Sequence, residues 1–525
     1  MSLGALRSRV RRVGVGAGLL FIVLSARLAQ VAQSDAYASV AVDNALSSRH
    51  VPAPRGRILD IHGTVIADAH PALDLVIVPD EVRDAASLEV QLGVLVGIDA
   101  RDRAHRALER GGNAPVLLAR DLKPDALARV MGHKQHLLGT RVRSSQRRTY
   151  LHGNTASHLL GYLAESNVDD WAAGTAPGEL VGRTGIEGRF EADLRGMPGE
   201  SFRLIDSSGA PATGRGSWSQ RLTTSAKEHH QPARAGSDVV LTLDMRIQLA
   251  AERAFAGNTG AAVLLDAHTG AVLAWVSGPD FDPDELAGGV PAERWMELGR
   301  SGVLIDRTHR SVRNPAEILD LVTAASALDN GVPPDFTVRC REHGHVDLWQ
   351  SLALTCDSWT DAVGGDLGPQ LLHTTAQQLG FGQATGVAVL AEQPGRAPQP
   401  GQTALATPLQ LAVMTAAIAN GGDRPTPWLV DRTINLDGIE TPTERGPATA
   451  THLHPDVLAQ LRGGMRTMSP AIAVDESGKV SADGQLYVAF APSDAPEVAL
   501  AVVTQSPGTA EPIGSAVLTA WQETR

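Results

Sequence analysis

Gly401-Gln402-Thr403, Thr407-Pro408-Leu409-Gln410 and Ala419-Asn420-Gly421-Gly422 punctuate one stretch of the chain and set the limits of a helix. Thr407 offers an N-cap hydroxyl, and Pro408 suits the first helical position, where an N–H would have no intrahelical acceptor. Asn420-Gly421 is a natural stop, because glycine enters the left-handed conformation at little cost. Further along, Val498 to Thr504 reads as a core strand and Ser515 to Glu523 as a terminal helix. Upstream, Ile318 to Leu328 is apolar nearly all round and reads as a buried central helix ending at Asn330-Gly331. Earlier still, Ala261 to Asp266 and Ala271 to Val276 flank His268-Thr269-Gly270, the pattern of a β-hairpin with His268 in a solvated turn.

A chain of 525 residues is too long for one ordinary core, so two or three domains are expected. With 43% hydrophobic and 20% charged residues it is globular, and with 4% aromatics its cores must be built from Ala, Val and Leu. A net charge of −12 argues against a nucleic-acid partner, which would need a basic face. Lysine is confined to Lys123, Lys134, Lys227 and Lys479. Cys340 and Cys356 are the cysteines, open to either a disulfide or two buried thiols. A zinc site would need more ligands than these; His343-Gly344-His345 is the nearby supplement and reads as a loop. No metal and no cofactor are expected.

Arg7, Arg9, Arg11 and Arg12 precede an apolar run from Val13 to Ala26. The run alone is shorter than the ~20 residues of a membrane span, and continuation through Arg27 to Ala32 supplies the length. The reading is an uncleaved single-pass anchor with its basic end in the cytoplasm and the bulk of the chain outside. Residues 1–34 then form the tail and anchor, 35–235 an elongated first domain with its linker, and 236–525 a second domain opened by the strand Asp238 to Asp244. The polar stretch Gly209 to Gly236 is the connection. Arg55-Gly56 is a turn into a strand that ends at the Asp60–Gly63 turn, and Leu73 to Pro79 is a β-type run closed by proline.

Several of these stretches resemble the class B penicillin-binding proteins, the elongation-type peptidoglycan D,D-transpeptidases. Ala53-Pro54-Arg55-Gly56-Arg57-Ile58-Leu59-Asp60 is similar to the family's run just outside the membrane, with Ile61-His62 in place of its usual Arg-Asn. Gly182-Arg183-Thr184-Gly185-Ile186-Glu187 and Leu194-Arg195-Gly196-Met197-Pro198-Gly199 match its pedestal elements. Leu379-Gly380-Phe381-Gly382 with Thr385-Gly386, and the run from Gly401 to Gly422, match its transpeptidase domain. The resemblance implies a mixed α/β (α+β) architecture: transmembrane helix, β-rich pedestal, then an antiparallel sheet flanked by helices. It also implies a place in cell-wall synthesis and cell shape, with a multi-pass peptidoglycan glycosyltransferase and other cell-wall synthesis proteins as partners. The anchor and the pedestal face near Arg55 to Asp60 would contact them.

The family's chemistry rests on a Ser-x-x-Lys helix start, a Ser-x-Asn loop and a Lys-Thr/Ser-Gly strand, which supply a nucleophile, its proton acceptor and a cation for the substrate carboxylate. Laid on that pattern, Asn314-Pro315-Ala316-Glu317-Ile318-Leu319-Asp320 puts Glu317 in the serine slot and Asp320 in the lysine slot. Thr355-Cys356-Asp357 stands for the second motif, and Ser477-Gly478-Lys479 holds the third motif's ingredients in another order. Misalignment does not rescue them. Arg120, Met131, Thr224 and Glu476 stand three places before the four lysines, no lysine precedes Thr-Gly or Ser-Gly, and no Ser-x-Asn occurs. Losing the nucleophile alone costs on the order of a millionfold in a comparable serine enzyme. A structural account of the first slot is that Asn314 caps the helix, Pro315 takes its first position and Glu317 completes a capping box. The expectation is a pseudo-transpeptidase acting as scaffold or regulator, without catalytic residues. Two alternatives stay open: ordinary transpeptidation at a non-standard site, and a carboxylate-based cell-wall hydrolase using Glu317, Asp320 and Asp357 as acid and base. A module that binds peptidoglycan stems is a further one, disfavoured by three acids facing a carboxylate ligand.

Overall fold

The structure, a computed structural model, describes residues 3–32, 46–113, 115–172, 175, 178–204, 231–287, 289–315, 318–354, 356–387, 391–467, 478–482 and 484–525. They divide into two compact units, Met1–Ala53 with Met197–Arg234, and Pro54–Gly196 with Ala235–Arg525.

The first unit carries helix α1 (Leu3–Ala32, 30 residues) and the strand β1 (Leu46–Val51), which pairs antiparallel with Gly199–Leu204. Along α1 the apolar side chains of Val15, Leu19, Leu20, Phe21, Ile22, Val23, Leu24 and Leu28 are exposed. Among the described residues no helix is long and apolar enough to cross a membrane. The expected span at the N-terminus is therefore not established by the fold. Arginines at 7, 9, 11, 12 and 27 bracket an apolar stretch shorter than the hydrocarbon thickness requires.

The second unit is built on two sheets. In the first, β2 (Ile58–Leu59), β3 (Val65–Ile77), β4 (Val116–Ala119) and β5 (Thr140–Tyr150) are joined by β6 (Asp238–Leu241), Val430–Ile434 and Glu440–Pro442. Here β2 runs parallel to β6, with Ile58 opposite Val239 and Leu59 opposite Val240. β3 begins at Val65, before the apolar run at 73–79, because β5 pairs with it without interruption from Ala67↔Tyr150 to Ile77↔Thr140. The ladder holds the polar part of β3 extended where hydrophobic burial does not. Leu75 and Ile77 are buried against Leu88 and Leu92 of the helix Ala85–Leu95 and Ala104 of the helix Ile98–Arg110.

The second sheet contains β7 (Gly260–Asp266), β8 (Val272–Gly278), β9 (Gly478–Ala482), β10 (Leu486–Ala491) and β11 (Val498–Thr504), in the order β8-β7-β11-β10-β9. All seven residues of β11 are buried. Its alternation is lost because both faces are covered. On one face Ile247, Ala251 and Phe255 of α2 (Met245–Phe255) meet Ile513, Val517 and Trp521 of the C-terminal helix. The other face belongs to a larger core that takes in Leu321 and Ala325 of the central helix, and every residue from Pro408 to Ala419 of the helix begun at Thr407 is buried. Each fully buried Leu or Ile here contributes roughly 2 kcal/mol. The C-terminal helix begins at Ala510, five residues before Ser515. Pro512 is accommodated in its first turn, where no acceptor four residues back is needed.

Candidate functional site

Arg55 and Asp60, expected on a partner-binding face, are interior. Arg55 is 9% and Asp60 1% exposed. Arg55 donates to Glu187 at 2.6 Å and to Glu191 at 2.6 Å, and Arg148 donates to the other Glu187 oxygen at 2.7 Å. Burial alone would lift the Glu187 carboxyl, but the Arg148 and Arg55 guanidiniums outweigh it and hold it below its ordinary value. Asp60 accepts from the N–H groups of His62, Thr64 and Met245 at 3.0, 2.6 and 3.2 Å. A Cβ on Gly56 would stand 1.9 Å from the Ser237 carbonyl oxygen, so only glycine fits beside this strand crossing. The Arg-Gly and Gly-x-Thr-Gly-x-Glu stretches are thus two halves of one buried ion cluster. Of Arg55 to Asp60, Arg57 is the exposed residue.

Around the expected slots, α4 (Arg307–Arg310) packs on α7 (Pro408–Asn420) and α5 (Leu319–Asp329) packs on α6 (Ser358–Leu367), whereas the short helix α3 (Pro283–Ala287) packs on β5. Helix α5 starts at Leu319 with Ile318 at its N-cap and no side-chain cap; the Ile318 N–H donates to the Pro315 carbonyl at 3.0 Å. The regular helix thus begins at Leu319, and the expected capping box of Asn314 with Glu317 involves residues 316 and 317, which lie outside the described residues. Residues 311–315 are held by Arg313, whose N–H and carbonyl pair with Ala406, both at 2.8 Å. Just before them, buried Asp306 accepts from Trp275 Nε1 at 3.0 Å and from the Thr308 N–H at 3.0 Å, and lies 3.4 Å from His309 Nδ1. Burial would raise its carboxyl, yet His309 and Thr308 lower it to about 2. Sequence reasoning missed this anchor. Its signal was an Asp ahead of Thr-His, an N-cap pattern too short to stand out.

Beyond Ala406, Thr407 caps α7 and Gln410 completes a reciprocal capping box. The buried Gln410 side chain accepts from Thr407 and Gly395 N–H groups at 3.0 and 3.1 Å and donates to the Gln383 carbonyl at 2.7 Å. One side chain therefore ties together the cap, the strand-like 395–405 return and the Gly-Phe-Gly loop, where Gly380 and Gly382 sit at φ +99° and +74°.

Of the expected slots, Glu317, Thr355 and Ser477 lie outside the described residues. Asp320 is half-buried in the first turn of α5, and Asp357 is exposed at the start of α6, a helix that packs on α5. Lys479 is on the edge strand β9, opposite Ala489. The described residues of the three slots are thus two carboxylates and an amine on separate elements.

Cys356 is bonded to Cys340. The bridge clips the turn of the second slot to the hairpin Val338–Cys340/Gly344–Val346, and His343 Nδ1 lies 3.4 Å from Cys340 Sγ. Cys340, His343 and Cys356 place their ligand atoms within 4.8 Å of one another. Two thiolates and an imidazole suit zinc, but a disulfide offers no thiolate, and a fourth ligand would also be required. His343 belongs to the turn of this hairpin rather than to a free loop.

Residues 50–240 match the penicillin-binding protein dimerisation domain, and residues 260–520 match the penicillin binding protein transpeptidase domain. Peptidoglycan D,D-transpeptidase MrdA of Acinetobacter baumannii is 26% identical, over 98% of this chain and 88% of that protein. Peptidoglycan D,D-transpeptidase FtsI of Escherichia coli is also 26% identical, over 90% of this chain and 82% of that protein. Among solved structures, the Helicobacter pylori penicillin-binding protein PBP2 in complex with MreC superposes with a TM-score of 0.71 at 18% identity, covering 91% of this chain and 99% of that one. A chain of a peptidoglycan synthase complex that coordinates polymerization and crosslinking gives 0.66 at 24% identity, covering 98% and 99%.

Proposed function

This chain belongs to the class B penicillin-binding proteins, and from that premise we propose that it is a catalytically inactive member serving as scaffold or regulator of peptidoglycan synthases. The observation that carries the proposal is the joint loss of Ser-x-x-Lys, Ser-x-Asn and Lys-Thr/Ser-Gly from the whole sequence. Meanwhile the elements that shape the cleft, the Thr407–Gln410 box and the Gly-Phe-Gly loop above all, keep their hydrogen bonds. Acylation needs a nucleophile and a base within reach. In the first slot, Glu317 and Asp320 would instead repel a substrate carboxylate.

Membrane attachment through α1 is part of the proposal. Its support is the unbroken exposure of Leu19 to Leu24, a surface that has no polar face to present to water and is preceded by four arginines. The partner class follows from the relatives, one solved with MreC and another within a peptidoglycan synthase complex. By that analogy this chain binds a multi-pass glycosyltransferase or an associated cell-wall protein through surfaces other than the buried Arg55–Asp60 core.

Membranes containing the protein, incubated with a fluorescent penicillin and run on a denaturing gel, test the inactivity; no labelled band at its mass is expected, and a covalent band refutes it. Co-purification of a cell-wall glycosyltransferase with the tagged chain tests the scaffold role. Recovery of the chain with no cell-wall synthesis protein, under conditions that retain such a complex for an active relative, counts against it.

A further inference from the structure

Asp74 Oδ2, Arg120 Nε, Ser145 Oγ, Gln146 Oε1, Arg148 Nη2 and Asp284 Oδ1 are buried polar atoms without a hydrogen-bond partner among the described residues, and all six residues line one cavity. It is bounded by β3, the turn after β4, β5 and α3, and its free volume of about 20 Å³ is that of a small polar guest. Asp74 and Arg148 are each 2% exposed. The other Asp74 oxygen accepts from the Asp121 N–H at 3.1 Å, so the carboxylate is fixed in place with Oδ2 left over for a guest. Unpaired buried groups are rare in folded proteins, and six around one space mark a place built for a guest.

The wall selects that guest by its chemistry. Each guanidinium of the wall already has a carboxylate: Arg120 has Glu165 at 2.8 Å, Arg147 has Asp121 at 3.5 Å and Arg148 has Glu187 at 2.7 Å. An anion would gain little from them and would face Asp74 and Asp284. A cation would be set beside the guanidiniums of Arg120, Arg147 and Arg148. A neutral molecule that both donates and accepts satisfies every atom, and the volume limits it to the size of one or two waters.

We propose that this cavity is a built hydration site: water accepts from Arg120 Nε and Arg148 Nη2, donates to Asp74 Oδ2 and Asp284 Oδ1, and so pins α3 to strands β3 and β5. Asp284 lies in the part of the chain that matches the transpeptidase domain, whereas the other five residues lie in the part that matches the dimerisation domain. The water is therefore a joint between the two matched regions. A bridge of this kind can re-form in a slightly different geometry at small cost, which a direct ion pair cannot.

A crystal structure at about 1.8 Å or better tests the site. Expected is density for one or two waters at about 2.7–3.2 Å from Asp74 Oδ2 and Asp284 Oδ1. A dry cavity overturns the proposal, and so does an ion with contacts near 2.0–2.6 Å. Thermal melting supplies an independent arm. Ser145→Val pushes a methyl group into the site and strands the carboxylates, so a Tm loss of at least about 3 °C is expected. An unchanged or higher Tm overturns the water reading. Exchange of sodium for a bulky organic cation, with chelator present, is expected to leave the wild-type Tm unmoved; a drop of several degrees assigns the site to a metal cation instead.

Discussion

Replacing Glu187 by Ala is the sharpest perturbation of the pedestal core. Glu187 is 0% exposed and holds three groups: Arg55 at 2.6 Å, Arg148 at 2.7 Å and the Tyr150 hydroxyl at 3.2 Å. Its removal does not strand both arginines equally. Arg55 keeps Glu191 at 2.6 Å, whereas Arg148, 2% exposed, keeps no carboxylate among the described residues and has the Gly56 carbonyl at 2.7 Å. The loss is then one buried, uncompensated guanidinium, which costs about 3–5 kcal/mol. Glu191→Ala is the internal comparison. Its side chain is 20% exposed and Arg55 retains Glu187, so about 1 kcal/mol is expected. Urea denaturation followed by circular dichroism measures both. The reasoning fails if Glu187→Ala costs less than Glu191→Ala, or less than about 1 kcal/mol. The pH dependence carries the same sign. Because the folded Glu187 carboxyl lies below its ordinary 4.5, its contribution is complete above that value and is lost as the pH falls through the folded pKa. The Glu187→Ala penalty should therefore shrink in acid.

Glu252 behaves oppositely. Burial pushes its carboxyl up to about 7, against hydrogen bonds from the Ala156 N–H and Gln248. Between 4.5 and about 7 the folded state holds a proton that the unfolded chain has released, so stability falls as pH rises through that window, by on the order of 3 kcal/mol at most. Glu252→Gln should flatten this slope in melts taken from pH 5 to 8; an unaltered slope refutes the assignment. Thr407→Ala removes the cap of α7 and half of its box and should cost about 1 kcal/mol in urea titrations, with Thr407→Ser nearly neutral. Reducing the Cys340–Cys356 bridge, which closes a separation of 16 residues, should cost about 3 kcal/mol, read as a fall in Tm in reducing buffer that Cys340→Ser reproduces.

Much of the scaffold was legible before the fold. Thr407, Pro408 and Gly421 occupy the cap, first-turn and left-handed positions that their chemistry suggests, and the hairpin at 260–278 follows from apolar runs around a Thr-Gly turn. What could not be read depended on contacts distant in sequence. Nothing local distinguishes Arg55 on a surface from Arg55 beside Glu187, 132 residues away, which is why Arg55 proved to be interior. Strand β3 runs past its apolar part because β5 supplies a ladder, a property of the pair rather than of either sequence. At the first slot, a good N-cap residue and a proline suggested a helix start; the regular helix is described from Leu319, and residues 316 and 317 between them lie outside the described residues. Cysteine spacing left two outcomes open, and the packing of α6, which follows Cys356, on the strand Val338–Cys340 brings the sulfurs together.

The central claim is the absence of acyl transfer. Purified full-length protein incubated with a stem pentapeptide ending in D-Ala-D-Ala and an amine acceptor, followed by mass spectrometry, measures it directly. The account predicts no release of D-alanine above a protein-free control and no peptidyl adduct on the intact chain. Time-dependent D-alanine release that scales with protein concentration, or a stable acyl adduct mapped to any residue from 311 to 320, would contradict it.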